Sequence, residues 1–144
     1  METFEERVRD SFSRQPAMAT MGAAMVEVRQ GHVVLEMDYD PKLTQQHGFL
    51  HGGVVAAVLD SACGYAALTL LPADAGILTI EFKVNLLAPA KGERFRFEGE
   101  VVKPGRTISV VDGVARAIRD GEAKRIATMT ATMMAVVGRE GIEG

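Results

Sequence analysis

One segment constrains this chain more than any other. Across residues 52–71, Val54, Val55, Ala56, Ala57, Val58, Leu59, Ala62, Ala66, Ala67 and Leu68 place apolar groups on nearly every face of a helix. A helix apolar all round is buried in a core rather than laid on a surface. Leu71-Pro72 ends it, because the residue before a proline is driven out of the helical region. A buried helix needs a wrapping, and the rest of the chain supplies strands. Residues 24–29 and 32–39 are β-rich and flank Gln30-Gly31, the spacing of a tight hairpin. Residues 77–87, 94–102, 107–117 and 124–137 also have strand character, punctuated by Gly92, Pro104-Gly105 and Asp120-Gly121. Phe4, Val8 and Phe12 recur every fourth residue, so residues 2–14 read as a short amphipathic helix with Pro16 near its end. This order predicts an α+β fold: one curved antiparallel sheet around one long central helix.

The 144 residues suffice for one domain with a real core, spanning 1–144 with residues 1–20 as a helical N-terminal extension. A net charge of −3 builds no broad basic surface, so neither nucleic acid nor an anionic membrane is an expected partner. The longest apolar run, residues 54–59, is far too short to span a bilayer. The charged start Met1-Glu-Thr-Phe-Glu-Glu-Arg lacks the apolar core of an export signal. The single cysteine, Cys63, leaves no internal disulfide and fits a reducing compartment; a cytoplasmic protein is expected. Cys63 lies among Ala62, Gly64 and Tyr65 and reads as a small core residue, not a nucleophile.

Two features of residues 45–60 carry chemistry. His51-Gly52-Gly53 stands just before the buried helix. Free backbone N–H groups at a helix start, unobstructed by side chains, suit an anion or a developing oxyanion. The same glycines also serve as a turn that lets the chain enter the helix tightly, and both readings stand. The second feature is Asp60, the one acidic or basic residue between His51 and Asp74. A carboxylate among apolar neighbours is costly unless hydrogen-bonded, paired or protonated, and such groups cluster at functional sites. The competing reading has Asp60 bonded to nearby backbone or to the Ser61 hydroxyl. Asp60 lies about 12 Å along the helix axis from Gly52, too far for both to reach one carbonyl within one subunit. An antiparallel helix from a second copy closes that gap, so joint action of the two groups requires at least a dimer.

Gln45-x-x-Gly48-x-x-His51-Gly52-Gly53, with Asp60 nine residues after the histidine, resembles the PaaI-like group of hotdog-fold thioesterases. The similarity runs through the strand from Gly76 to Pro89 and the turn Lys103-Pro-Gly-Arg106-Thr, about residues 20–137. The resemblance implies an acyl-coenzyme A thioesterase, working as a dimer that pairs into a tetramer. By the same resemblance Asp60 is general base or nucleophile, and the Gly52 N–H polarises the thioester carbonyl. His51 orients the loop, Thr79 places water or the carboxylate, and Gln45 supplies an amide where many members carry Asn. A related group hydrolysing 4-hydroxybenzoyl-CoA has Gln there. Gly53, Pro89, Lys91, Lys103 and Arg106 would contact substrate, the three cations facing the coenzyme's phosphates unless they are ordinary solvated turn charges. The eight methionines either line an acyl pocket or belong to the core.

No cofactor is expected. His47 and His51 form an i, i+4 pair, but Gly48 lies between them and no third ligand follows at zinc-like spacing, so no metal is expected. Two rivals remain: a non-hydrolytic acyl-CoA-binding hotdog protein, which has no need of Asp60, and a hotdog hydratase, which needs an Asp/His pair that the spacing of Asp60 and His51 on one chain does not offer.

Overall fold

The computed structural model describes all residues, 1–144. Six strands form one antiparallel sheet: β1 (Ala24–Arg29), β2 (His32–Asp38), β3 (Ala75–Leu86), β4 (Arg94–Lys103), β5 (Ile108–Arg119) and β6 (Glu122–Val137), in the order β1-β2-β4-β5-β6-β3. The long helix α3 (Gly52–Leu68) packs against five of the six strands, β2 to β6. This is the α+β hotdog arrangement expected from the sequence. The hairpin register pairs Arg119 with Glu122 across Asp120-Gly121, so β5 and β6 run closer to that turn than the expected strand ends. Main-chain bonding there continues to the last residue that the turn allows.

Two glycines paired across strands set how closely helix and sheet approach. Gly99 of β4 lies opposite Gly113 of β5. A Cβ on Gly99 would lie 2.5 Å from the Ala62 carbonyl oxygen, and one on Gly113 would lie 2.9 Å from Cys63 Sγ. The helix backbone therefore rests almost on the sheet, and Leu59, Ala62 and Cys63 are fully enclosed beside Phe95, Phe97 and Met133.

The N-terminal helix α1 (Phe4–Ser13) opens with a complete capping box, Thr3 and Glu6 satisfying each other's backbone N–H groups. Its apolar stripe buries Val8 completely, with Phe4 and Phe12 against the core. Arg7 donates to the Leu68 and Leu71 carbonyls, capping the end of α3, whose last carbonyls have no partner within the helix. Beyond Ser13 the chain turns into a second short helix, α2 (Pro16–Met21), which the sequence reading did not anticipate. Pro16 starts that helix instead of closing the first, since proline at the first helical position loses no hydrogen bond.

The edge strand β3 is the unusual element. It pairs only with β6, and its register shifts by one residue between Thr79 and Glu81. Thr79 lies opposite the buried Met133, whereas Phe82 and Val84 lie opposite Ala131 and Met129, also on the helix side. The bulge at Ile80 thus switches the alternation, placing Thr79 and Phe82 on one face although odd and even positions normally oppose. Leu78, Ile80, Phe82 and Leu86 are 42–56% exposed, so this edge offers water both unpaired backbone and large apolar side chains.

Candidate active site

Asp60 sits midway along α3. Val55, Val58, Leu59 and Ala62 face the sheet and are buried, but Gly53 is exposed and Val54, Ala56, Ala57 and Asp60 are only half-covered. The expectation of a helix enclosed on every face is therefore corrected: it holds from Ala62 onward. In the N-terminal half, the Asp60 side is only partly covered by this chain, through Thr79 of β3 and through Ser11 and Gln15. A uniformly apolar composition marks a helix that ends up covered, without saying that one chain does all the covering.

The bulge aims Thr79 at this face, and Thr79 Oγ1 donates to Asp60 Oδ1 at 2.8 Å. Desolvation holds the Asp60 carboxyl above its ordinary value, and the Thr79 hydrogen bond offsets part of that. One oxygen is fixed and the other is left free, which suits a base or nucleophile whose direction is preset. Cys63, one turn further, is buried, and burial beside Asp60 pushes its thiol far up, so it is no nucleophile.

The helix start is built by side-chain caps. His51 is the N-cap, and its Nδ1 accepts from Gly53 N–H at 2.9 Å. That bond requires a neutral ring with its proton on Nε2. Val54 and Val55 N–H groups both bond the His51 carbonyl. Gly53, expected to contact substrate, thus has its N–H already engaged, and Gly52 keeps the one N–H of this helix start that has no partner. A side chain at Gly52 would meet Leu86 Cδ1 at 2.7 Å, so glycine keeps the approach to that N–H open. Gln45 Oε1 accepts from the His47 and Phe49 N–H groups at 2.7 and 3.2 Å. Its oxygen is consumed by the loop, and its Nε2 remains as a donor. Gln45, Gly52, Leu86 and Pro89 line a common cavity of about 470 Å³.

The structure therefore divides the expected residues into two groups. Asp60 and Thr79 face a cavity of about 210 Å³; Gln45, Gly52 and Pro89 face the other, and neither of the two contains both sets. The three cations are divided too. Lys91 precedes β4 and lines a concavity with Tyr39, His47 and Arg119, whereas Lys103 ends the same strand and Arg106 follows it. A ten-residue strand spans about 33 Å, so these cations form no single patch in one subunit. Arg106 borders the largest cleft, about 800 Å³, which contains neither Asp60 nor Gly52. Chemistry outweighs size in choosing the site. No three His, Cys, Asp or Glu side chains converge as metal ligands, and no helix is long and apolar enough to cross a membrane.

Sequence reasoning missed Ser11, Gln15 and Tyr65, which stand beside Asp60, and the Ser61 hydroxyl, weighed as a partner of Asp60, donates to Gln15 instead. No spacing rule joins positions 11–15 to 60–65; only the docking of α1 onto α3 brings them together.

The profile of the family described as "Thioesterase superfamily" matches residues 47–124, over half of the chain and all of α3. The chain belongs to the thioesterase superfamily. Membership of this family of thioester hydrolases agrees with the resemblance carried by the Gln45–Asp60 segment. A thioesterase family protein of known structure from Silicibacter pomeroyi is 61% identical, with a TM-score of 0.93 over 94% of this chain and 99% of its own. A Saccharolobus solfataricus protein carrying a provisional esterase name is 35% identical over 61% of this chain and 62% of its own length. Human acyl-coenzyme A thioesterase 13 is 29% identical over 59% of this chain and 61% of its own. The chain thus aligns with somewhat less than two thirds of these last two relatives.

Proposed function

We propose that this protein hydrolyses the thioester of an acyl-coenzyme A at a site completed by a second copy of the chain. The observation that carries the proposal is the Asp60–Thr79 pair, poised on a half-covered helix face beside an unpaired strand edge. The one free N–H of the helix start lies in a different cavity. The superfamily and the name of the human relative support the reaction class.

The register of β3 supports a specific assembly. Leu86 lies against Gly52, and Thr79 bonds Asp60. Antiparallel pairing of β3 with its copy, centred between Phe82 and Lys83, sets Thr79 of one chain opposite Leu86 of the other. Asp60 then stands beside Gly52 of the second copy, covering the exposed apolar edge in the same step. The two-fold also turns the Arg106 end of one copy toward the Lys91 end of the other, so cations separated within a subunit flank one site.

In this site the thioester carbonyl accepts hydrogen bonds from Gly52 N–H and Gln45 Nε2 of one chain, donors that strengthen as the oxygen gains charge. Asp60 of the other chain either takes a proton from an attacking water or attacks the carbonyl itself. The carbon–sulfur bond breaks and the coenzyme leaves as its thiolate; on the general-base route it takes up the proton that Asp60 drew from water, and on the nucleophilic route the proton comes from the water that follows. If Asp60 attacked directly, water then hydrolyses the resulting anhydride. Free acid and CoA are the products. Thiol release from a panel of acyl-CoA substrates tests this: Asp60→Asn and Asp60→Ala abolish turnover while light scattering reports an unchanged oligomer. Wild-type turnover in either variant would remove Asp60 from the mechanism.

A further inference from the structure

Desolvation sets how basic Asp60 is, so the walls of its cavity matter as much as the carboxylate itself. Three walls belong to elements packed on the core. The helix α3 carries Asp60, and β3 presents Thr79. On the α1 side, Gln15 accepts from the Ser61 hydroxyl and donates to Tyr65 Oη, both at 3.1 Å. The fourth wall is the segment that follows β6, residues 138–144, of which Glu143 and Gly144 line the cavity.

This segment folds back onto the site instead of trailing away from it. The chain leaves β6 at Val137, opposite Ala75, and reverses through Gly138 and Gly141 at φ +68° and +83°, a backbone that glycine adopts without strain. The Ile142 N–H closes a turn on the Arg139 carbonyl at 3.1 Å. Next the chain crosses the start of β3, so closely that a Cβ on Gly76 would lie 2.5 Å from the Ile142 carbonyl oxygen. The Gly144 N–H donates to the Ala75 carbonyl at 3.1 Å, and Arg14 Nη2 donates to the Gly144 carbonyl oxygen. Arg14 is itself steadied by Asp10 at 3.1 Å. The segment thus bridges β3 and Arg14, which follows α1, beside Asp60. Among the ionisable groups around Asp60, α3 contributes Tyr65 to the cavity and the buried Cys63 behind it, and residues 138–144 contribute Glu143. None of α1, β3 and β6 places an ionisable side chain in the lining. Glu143 is exposed, so water screens its charge, and exclusion of water is the larger effect of this wall.

We infer that residues 138–144 are a positioning segment for the acyl-CoA hydrolysis proposed above: they shut bulk water out of the Asp60 cavity, with Arg14 as their latch and Gly76 as the gap that lets them lie against β3. The inference rests on that reading of the site. A carboxylate returned to water is the weaker base. The test is the pH dependence of kcat/KM for thiol release, which reports the free enzyme. Deletion of residues 139–144 moves the acid limb to lower pH by about half a unit or more and lowers the plateau. Gly76→Ala keeps the segment but denies it its place, and it moves the limb the same way. Arg14→Gln does so to a smaller extent. Glu143→Gln removes the charge and keeps the wall, and it moves the limb less than the deletion does. Thermal unfolding run in parallel separates these shifts from loss of folded protein. An acid limb that stays in place in both the deletion and Gly76→Ala, or one that Glu143→Gln moves as far as the deletion, overturns the inference and leaves thioester hydrolysis standing. Failure of the wild type to cleave any acyl-CoA overturns the hydrolysis reading, and this inference with it.

Discussion

Replacing Gly52 with proline removes one N–H from the protein at little other cost. Gly52 is the first residue of α3, where proline's fixed φ suits the helix and its missing N–H breaks no existing bond. The preceding residue, His51, already has φ −59° and ψ 135°, the extended conformation a following proline demands. The ring meets Leu86 Cδ1, the far end of a flexible side chain. Folding stability should therefore change by less than about 1 kcal/mol. Loss of one oxyanion donor, by contrast, costs about 100- to 1000-fold in kcat. Gly52→Ala is the control, since it adds the same Cβ and keeps the N–H. Steady-state thiol release on the best acyl-CoA, with thermal unfolding in parallel, gives both quantities. A proline variant that turns over as fast as the alanine variant would refute the role given to this N–H.

Three further outcomes follow from the geometry. Thr79→Val removes the hydrogen bond that lowers the Asp60 pKa, so the acid limb of the kcat/KM profile moves to higher pH. A profile that stays in place would detach Thr79 from Asp60 ionisation. Because the folded state holds the Asp60 carboxyl above its ordinary value, its contribution to stability is present below that ordinary value and is lost as pH rises through the folded one. Asp60→Asn should accordingly raise the melting temperature at neutral pH, with the gain fading under acid; a gain independent of pH would contradict this. Gly99→Ala places a Cβ 2.5 Å from the Ala62 carbonyl and should cost about 1–3 kcal/mol in urea unfolding at fixed protein concentration. An unchanged midpoint would mean that helix and sheet separate more easily than their contact implies.

Much of this architecture was legible because single residues left little choice. The apolar run from Gly52 fixed the central helix, although it closes at Leu68, short of the expected stop at Leu71-Pro72, and alternation with turn residues fixed six strands. Asp60 stood out because a charge inside such a helix needs a reason. The rest depends on tertiary placement. Pro16 opens a helix only because α1 has already turned at Ser13. The bulge at Ile80 is invisible to an alternation rule, yet it is what aims Thr79 at Asp60. Ser11 and Gln15 reach Tyr65 across 54 and 50 residues of chain, a separation that no local pattern encodes. Lys91, Lys103 and Arg106 looked like one set because each borders a turn, whereas the length of β4 separates them.

Mixing two inactive variants examines the shared site most directly. Asp60→Asn retains Gly52, Gly52→Pro retains Asp60, and each pure protein should be nearly inactive. After subunit exchange, half of the dimers are hybrids, each with one intact site of two, so activity should return to about a quarter of wild type. Mixtures that stay as inactive as their components, despite subunit exchange proven by mass spectrometry, would contradict a site assembled from two chains.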